Sequence, residues 1–370
     1  MIQVVYIIPS FQSGGPNNVV LNIIRHLDRG IYSPIIVALH DICNCGDSAK
    51  TLFEELGCVI DQMHVKTKDL FTNKRKIALA ITQKYADNNT IFHSHCLLPV
   101  IITSAMSNVP TVTTIHSIAG EDLTMKYGRL KGGILSWLYK NSLSKMSHCV
   151  AISEYMADYY RKYTRSISVI YNGVQQQNFN NYEKESTLIK EKLCIKPGAI
   201  VFLYPAVFAT RKNHRYLIEA MRLVKRKDVY ILFAGSGPTE DECKALAIND
   251  DRIKFLGYQK NLDKFWSFAD YLISPSLSEG MPMAVLEAVI RGKSCFLSNI
   301  RPHIEIVRKL ELDDNHIFDV SNCENFAKQI DNVINDSISS EFIKYNAISN
   351  FSSEKMSHSY QNLYSQLMSR

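Results

Sequence analysis

The chain has 370 residues, 46% hydrophobic and 21% charged, enough for two compact cores and unlike any disordered, collagenous or coiled-coil sequence. Its formal charge of +6 is uneven: residues 1–172 carry 17 Lys and Arg against 12 Asp and Glu, and the remainder carries 25 against 24. That excess is too dilute for a nucleic-acid footprint, yet it marks the first half as the one suited to an anionic partner. Nine cysteines, at positions 43, 45, 58, 96, 149, 194, 243, 295 and 323, form no CxxC and read as reduced thiols. The opening MIQVVYIIPSFQSGG lacks a basic stretch and a cleavage site, and no apolar run reaches membrane-spanning length. The expectation is a cytoplasmic protein, peripheral at most to the inner face of the membrane.

Short β-branched runs alternate with amphipathic stretches along the whole chain. Strands are predicted at 3–9, 33–40, 58–63, 90–95, 111–116, 148–153 and 168–172, with helices such as 16–28, 70–86 and 131–145 between them. The second half repeats the pattern, with strands at 199–205, 229–235, 252–257, 270–276 and 294–299. Its helices are predicted at 213–226, 238–248, 261–268, 282–292 and 322–335. The alternation breaks once, over the polar, Asn- and Gln-rich segment 173–197. The reading is α/β: two Rossmann-like doubly wound parallel-sheet domains, 1–173 and 198–350, joined by a linker at 174–197 and facing each other across a cleft. Residues 351–370 are read as a helix crossing back to the first domain.

Ligands of such sheets bind beyond the strand ends, and the most informative motif lies there. Ser278-Glu279-Gly280-Met281-Pro282-Met283-Ala284-Val285-Leu286-Glu287-Ala288 follows one strand and opens a helix. Pro282 suits a first helical position, and the amides of Met283 and Ala284 face out of the helix start, where a phosphate can bind. Gly280 lets the backbone approach closely and turn without a Cβ penalty. Glu279 and Glu287 then flank one elongated ligand at different depths; the same residues would also suit a capped surface helix with two solvated glutamates.

This Glu pair, seven residues apart in an E-G-x-P-x-x-x-L-E-A setting, resembles the signature of the retaining glycosyltransferases of family 4, enzymes of the GT-B architecture. Further landmarks follow in that family's order: Ser13-Gly14-Gly15-Pro16, Thr114-Ile115-His116, Ala151-Ile152-Ser153-Glu154, Tyr171-Asn172-Gly173-Val174, Lys212-Asn213-His214 and Ala234-Gly235-Ser236-Gly237-Pro238. The resemblance implies a catalytic set of Glu279, Lys212, Arg211 and His116. Glu279 would contact the donor sugar, Glu287 the ribose, and Lys212 with Arg211 the diphosphate. The backbone from Gly280 to Ala284 (through Met281, Pro282 and Met283), with Gly235, Gly14 and Gly15, would complete the donor site. His95 and Ser153 would face the acceptor. The family often carries Arg six residues before the Lys, where this chain has Ala206, so Arg211 is read as the second cation.

His93 and His95 lie on one strand, and only one of them is expected to face the cleft. No third ligand accompanies them, so no metal is expected, and the donor is the only small molecule the chemistry needs. The implied activity is transfer of a hexosyl or N-acetylhexosaminyl group from a nucleoside-diphosphate sugar, UDP-sugar favoured, to a saccharide or polyprenyl-diphosphate-linked acceptor in O-antigen or capsule assembly. The alternatives are a GT-B sugar-nucleotide 2-epimerase and a catalytically silent binding subunit. Residues 126–146 add Lys126, Arg129, Lys131, Lys140 and Lys145 to Ile134, Leu135, Trp137, Leu138, Leu143 and Met146. Such a helix can contact an anionic membrane peripherally, or bury its apolar stripe and leave its lysines in solvent.

Overall fold

A computed structural model describes residues 1–40, 49–66, 69, 72–176, 182–332 and 338–369. The close pair Cys43 and Cys45 lies outside them; the other seven cysteines are free thiols. The chain divides into two units, one formed by Met1–Gly173 with Ser353–Arg370 and the other by Val174–Ser352.

The first unit contains a seven-stranded parallel sheet. Its strands are β1 (Ile2–Ile8), β2 (Tyr32–Ala38), β3 (Val59–Gln62), β4 (Thr90–His95), β5 (Thr111–Ile115), β6 (His148–Ala151) and β7 (Ile167–Val169), in the order β3-β2-β1-β4-β5-β6-β7. Strand β1 reads IQVVYII, apolar nearly throughout, because helices cover both faces of a parallel sheet and alternate positions are equally buried. Helix Ser353–Met368 belongs to this unit and packs on helix Gly15–Arg25. Polar bonds fix its seat: Ser357 Oγ donates to the Ile23 carbonyl at 2.7 Å, Gln361 Nε2 to the His26 carbonyl at 3.0 Å, and the Tyr32 hydroxyl to the Gln361 carbonyl at 2.8 Å.

The second unit holds β8 (Ile200–Pro205), β9 (Val229–Ala234), β10 (Ile253–Gly257), β11 (Tyr271–Ser274), β12 (Ser294–Ser298) and β13 (Ile317–Phe318), all parallel, in the order β10-β9-β8-β11-β12-β13. The sequence reading has no counterpart for β13, whose two residues carry no period of their own and are strand only through their pairing with Leu297 and Ser298. One face of this sheet closes over Phe202, Tyr216, Leu217, Phe233, Phe318 and Phe326. The polar break at 173–197 contains helix Glu183–Lys192, which is part of this unit.

In both sheets the strand order reverses once, between β1 and β4 and between β8 and β11. The connections leaving those neighbours run to opposite faces and part at the strand ends, which opens a crevice for a ligand. The Gly14-Gly15 loop follows β1, the Lys212 loop follows β8, and the Glu279 loop follows β11. No described helix is long and apolar enough to cross a membrane.

Candidate active site

In the second unit, the loops after β8 and β11 are fastened to each other by backbone. The Leu277 amide donates to the Arg211 carbonyl at 2.8 Å, and the buried Tyr204 hydroxyl donates to the Lys212 carbonyl at 2.7 Å. Asn213, left-handed at φ 54°, ends the short turn Thr210–Lys212 and starts helix His214–Met221. This turn carries Arg211 and Lys212 to the switch point. The Lys212 ammonium pairs with one carboxylate oxygen of Glu279, and Arg211 Nη1 reaches the other at 3.3 Å and the Ser278 carbonyl at 3.4 Å. The Glu279 side chain is 7% exposed and that of Lys212 14%.

Burial by itself would push the Glu279 pKa up, but the adjacent Lys212 and Arg211 cations outweigh it and hold the carboxyl below its ordinary value. Two cations on one buried carboxylate leave an excess positive charge suited to a di-anion.

Helix Met283–Val289 begins one residue later than expected: Pro282 is the N-cap, with extended ψ of 109°, rather than the first helical residue. The carbonyl of Pro282 accepts from the amides of Val285 and Leu286, leaving those of Met283 and Ala284 ahead of the first intrahelical bond. Gly280 and Met281 precede it in the loop, Met281 buried. Glu287 lies one turn in, and burial raises its pKa, with Arg291 opposing. Arg291 Nη1 donates to the Glu287 carbonyl and Nη2 pairs with Asp263 at 2.7 Å, so much of its hydrogen bonding goes elsewhere than the Glu287 carboxylate.

Gly235 is required by the fold itself. A Cβ there would collide with the Ala206 carbonyl oxygen, because the loops after β8 and β9 run in contact, with the Ala206 amide on the Ala234 carbonyl. The position the family often fills with Arg is thus occupied here by a small residue packed against a glycine.

The sequence reading misses His303. It sits at the start of helix Arg301–Lys309, fully buried, with Nδ1 at 2.9 Å from Ser298 Oγ and 3.1 Å from the Ser298 carbonyl. A carbonyl only accepts, so Nδ1 carries the proton and Nε2 is left as a buried acceptor without a hydrogen-bond partner among the described residues. Burial lowers the pKa to about 4, with Glu279 opposing, so the ring is neutral at pH 7. Ser298 Oγ in turn donates to the Ser276 carbonyl at 2.6 Å, linking His303 to the Glu279 loop. The signal available in sequence was only a strand-end serine followed five residues on by a histidine.

In the first unit, Gly14 and Gly15 open helix Gly15–Arg25, with Gly14 in extended backbone at φ 169°. Neither position has an atom within 4 Å of where a Cβ would be, so packing does not demand glycine there. Asn17 Nδ2 ties the loop down through the Ser10 and Gln12 carbonyls at 2.9 and 2.8 Å.

His116 follows β5, and its Nε2 lies 2.9 Å from His95 Nδ1. Burial lowers its pKa to about 4, and burial together with the neighbouring His93 and His116 holds that of His95 well below its ordinary value. The expectation that only one of His93 and His95 points to a given side is corrected: residues two apart on a strand share a face, and their ring centroids are 4.3 Å apart. His93 is the inner of the two, bonded to Tyr364 Oη at 2.7 Å and to Thr114 Oγ1 at 2.8 Å, so the C-terminal helix rests on it. Ser153 is fully buried, and its hydroxyl caps helix Glu154–Tyr160 by accepting from the Met156 amide. Among the described residues no group of three His, Cys, Asp or Glu side chains is disposed to hold a metal ion.

Residues 13–177 match the sequence model of Glycosyltransferase Family 4, and residues 185–350 match that of Glycosyl transferases group 1. The Escherichia coli "O-antigen biosynthesis glycosyltransferase WclY" is 26% identical over 390 residues, covering 99% of both chains. The E. coli "UDP-Gal:alpha-D-GlcNAc-diphosphoundecaprenol alpha-1,3-galactosyltransferase" is also 26% identical, over 67% of each. Among solved structures, Anabaena Alr3699/HepE in complex with UDP and glucose has a TM-score of 0.77 at 14% identity, covering 99% of this chain and 100% of that one. At that identity the likeness shows the fold, and the fold extends over both units. With both family matches in tandem over the two parallel-sheet units, the chain is a GT-B glycosyltransferase and belongs to glycosyltransferase family 4.

Proposed function

We propose that this glycosyltransferase moves a hexosyl or N-acetylhexosaminyl group from a nucleoside-diphosphate sugar, a UDP-sugar by preference, to a hydroxyl of a saccharide or polyprenyl-diphosphate-linked saccharide, with retention at the anomeric carbon. The process it serves is assembly of a bacterial surface polysaccharide, O-antigen or capsule. One observation carries the donor assignment: Lys212 and Arg211 converge on the buried Glu279 at the switch point of the second sheet. The names of the two E. coli relatives, one for O-antigen and one for a UDP-Gal donor and a diphosphoundecaprenol acceptor, support the rest.

In this reading the diphosphate displaces Glu279 as the partner of Lys212 and Arg211. The freed carboxylate accepts hydrogen bonds from donor-sugar hydroxyls, and Glu287 accepts them from the ribose. The bond from the anomeric carbon to the phosphate oxygen breaks, the acceptor oxygen bonds to the same face, and the acceptor proton passes to the departing phosphate oxygen. Lys212 and Arg211 stabilise the charge that grows on the leaving group, with the amides of Met283 and Ala284 beside it. In this reading His116 meets the acceptor, and His95, fully buried with its Nδ1 2.9 Å from His116 Nε2, positions that ring from behind. Two cations offset the diphosphate, so the scheme uses no divalent metal.

The test is thermal denaturation against a panel of nucleoside diphosphates and their sugars in the presence of EDTA. A ligand at 100 times its Kd adds about 2.7 kcal/mol, readily seen as a raised Tm. UDP is expected to stabilise wild type, and Lys212→Ala to reduce the effect at least tenfold in affinity. No shift with any nucleotide would refute the donor site, and hydrolysis-free conversion of a nucleotide sugar without acceptor would point to an epimerase.

A further inference from the structure

Three charges meet at the Glu279 loop, and a fourth ionisable group stands beside them uncharged. Lys212 and Arg211 face one carboxylate, so the free cluster has a single excess positive charge. A nucleoside-diphosphate sugar is a dianion. Seated on the two cations, it turns that excess into a single excess negative charge, around a Glu279 side chain only 7% exposed. An uncompensated charge in such surroundings is costly, and a change of protonation relieves it.

The fold holds an acceptor for that proton. His303 is fully buried, its Nδ1 hydrogen is committed to the Ser298 carbonyl, and its Nε2 has no hydrogen-bond partner among the described residues. A further proton can therefore go only to Nε2. Ser298 Oγ lies 2.9 Å from Nδ1 and donates to the Ser276 carbonyl at 2.6 Å, so the segment leading into Glu279 also fixes the ring. Two charged groups act on the ring from other elements: Glu279, after β11, favours its protonated form, and Lys212, after β8, opposes it. Arg301 and Glu305, two residues to either side, fall on the far side of its own helix at ~3.6 residues per turn. A dianion that takes up the charge of Lys212 removes the opposing influence and leaves the favouring one.

We propose that binding of a nucleoside-diphosphate sugar is coupled to uptake of one proton from solvent by His303 Nε2, whose imidazolium then stands in for the cations that the diphosphate has drawn from Glu279. His303 is thereby a positioning residue that keeps the Glu279 carboxylate ionised and able to accept from sugar hydroxyls. The proposal rests on the donor reading above and adds the proton to it. Its sign is definite: a site that gains a proton on binding holds its ligand more tightly as pH falls.

The test is calorimetric titration of the full chain with UDP-glucose in EDTA, in PIPES and in imidazole, whose ionisation enthalpies differ. UDP-glucose serves better than UDP because its phosphates are diesters and do not titrate near neutral pH. If another nucleotide sugar gives the larger rise in Tm, it takes the place of UDP-glucose. Wild type is expected to take up about half a proton per ligand at pH 6.5 and to bind about fivefold more tightly at pH 6 than at pH 8. His303→Gln should bind like wild type at pH 8, gain nothing at pH 6 and take up no proton. The 15N shift of His303 Nε2, moving from the unprotonated to the protonated range on binding, gives the same answer without a substitution. Binding without proton uptake overturns this proposal and leaves the donor site standing, whereas no binding by any nucleotide sugar refutes both. Uptake that persists in His303→Gln places the proton elsewhere, and a defect of equal size at pH 6 and pH 8 makes the ring a plain hydrogen-bond acceptor; either result overturns the proposal.

Discussion

Replacing Lys212 by Met tests the site at its most sensitive point. Glu279 is 7% exposed, and Lys212 is its nearer cation. Removing one partner of a buried ion pair costs about 3–5 kcal/mol, because the remaining charge is left in a poorly solvated place. Arg211 stays at 3.3 Å from the carboxylate and, although 36% exposed and partly screened, still offsets part of the stranded charge, so the expected loss is at the lower end, about 3 kcal/mol. Glu279→Gln in the Lys212→Met background removes the stranded charge and should recover most of that loss, giving a coupling energy of about 2 kcal/mol or more.

The pH dependence has a definite sign. In wild type the Glu279 pKa is depressed, so its contribution is present at neutral pH and is lost as pH falls through that depressed value. In Lys212→Met burial dominates and the carboxyl takes up a proton more readily, so the deficit relative to wild type should narrow between pH 7 and pH 5. Urea unfolding followed by Trp266 fluorescence reports the unit that contains the site. A deficit below about 1 kcal/mol that does not change with pH would refute the buried ion pair on which the site is built.

Other consequences are measurable with the same methods. Burial raises the Glu287 pKa, so its ionised form weakens the free protein at neutral pH; Glu287→Gln should raise Tm while raising the KM for donor. Gly235→Ala should cost about 2–4 kcal/mol, because the new methyl meets the Ala206 carbonyl, and a variant within 0.5 kcal/mol of wild type would show that the loops yield. His93 and His303, one in each unit, are buried neutral with pKa values of about 3 and about 4. Their unfolded forms take up protons below pH 6.5, so each should subtract about 2 kcal/mol of stability at pH 5, visible as a fall in Tm that His303→Gln diminishes. If the unpaired His303 Nε2 accepts from bound donor, that variant should also raise the KM for donor more than it lowers kcat.

The two-sheet architecture is legible in the sequence because parallel strands buried on both faces must be apolar runs, and amphipathic helices must alternate with them. Strand β1 and helix Gly15–Arg25 show this directly, and so does the order of motifs after the strands. What periodicity misses is short: β13, two residues long, is a strand only because β12 lies beside it. Helix Arg129–Leu143 is misleading in the other direction, since its apolar residues suggest a core face while the backbone contact at Gly132 turns them outward.

The residue types and spacing of Glu279, Glu287, Arg211 and Lys212 are properties of the sequence, and they point to a diphosphate and to hydroxyls wherever the chain folds. That Lys212 meets Glu279 is decided by two strands that are neighbours in the sheet but about seventy residues apart in the chain. The same holds for His303, which reaches the Glu279 loop through Ser298, and for His93, which supports a tyrosine 271 residues later. Local sequence sets the period and the caps of each element; burial and the sharing of buried hydrogen bonds depend on which elements become neighbours, and only the tertiary structure supplies that.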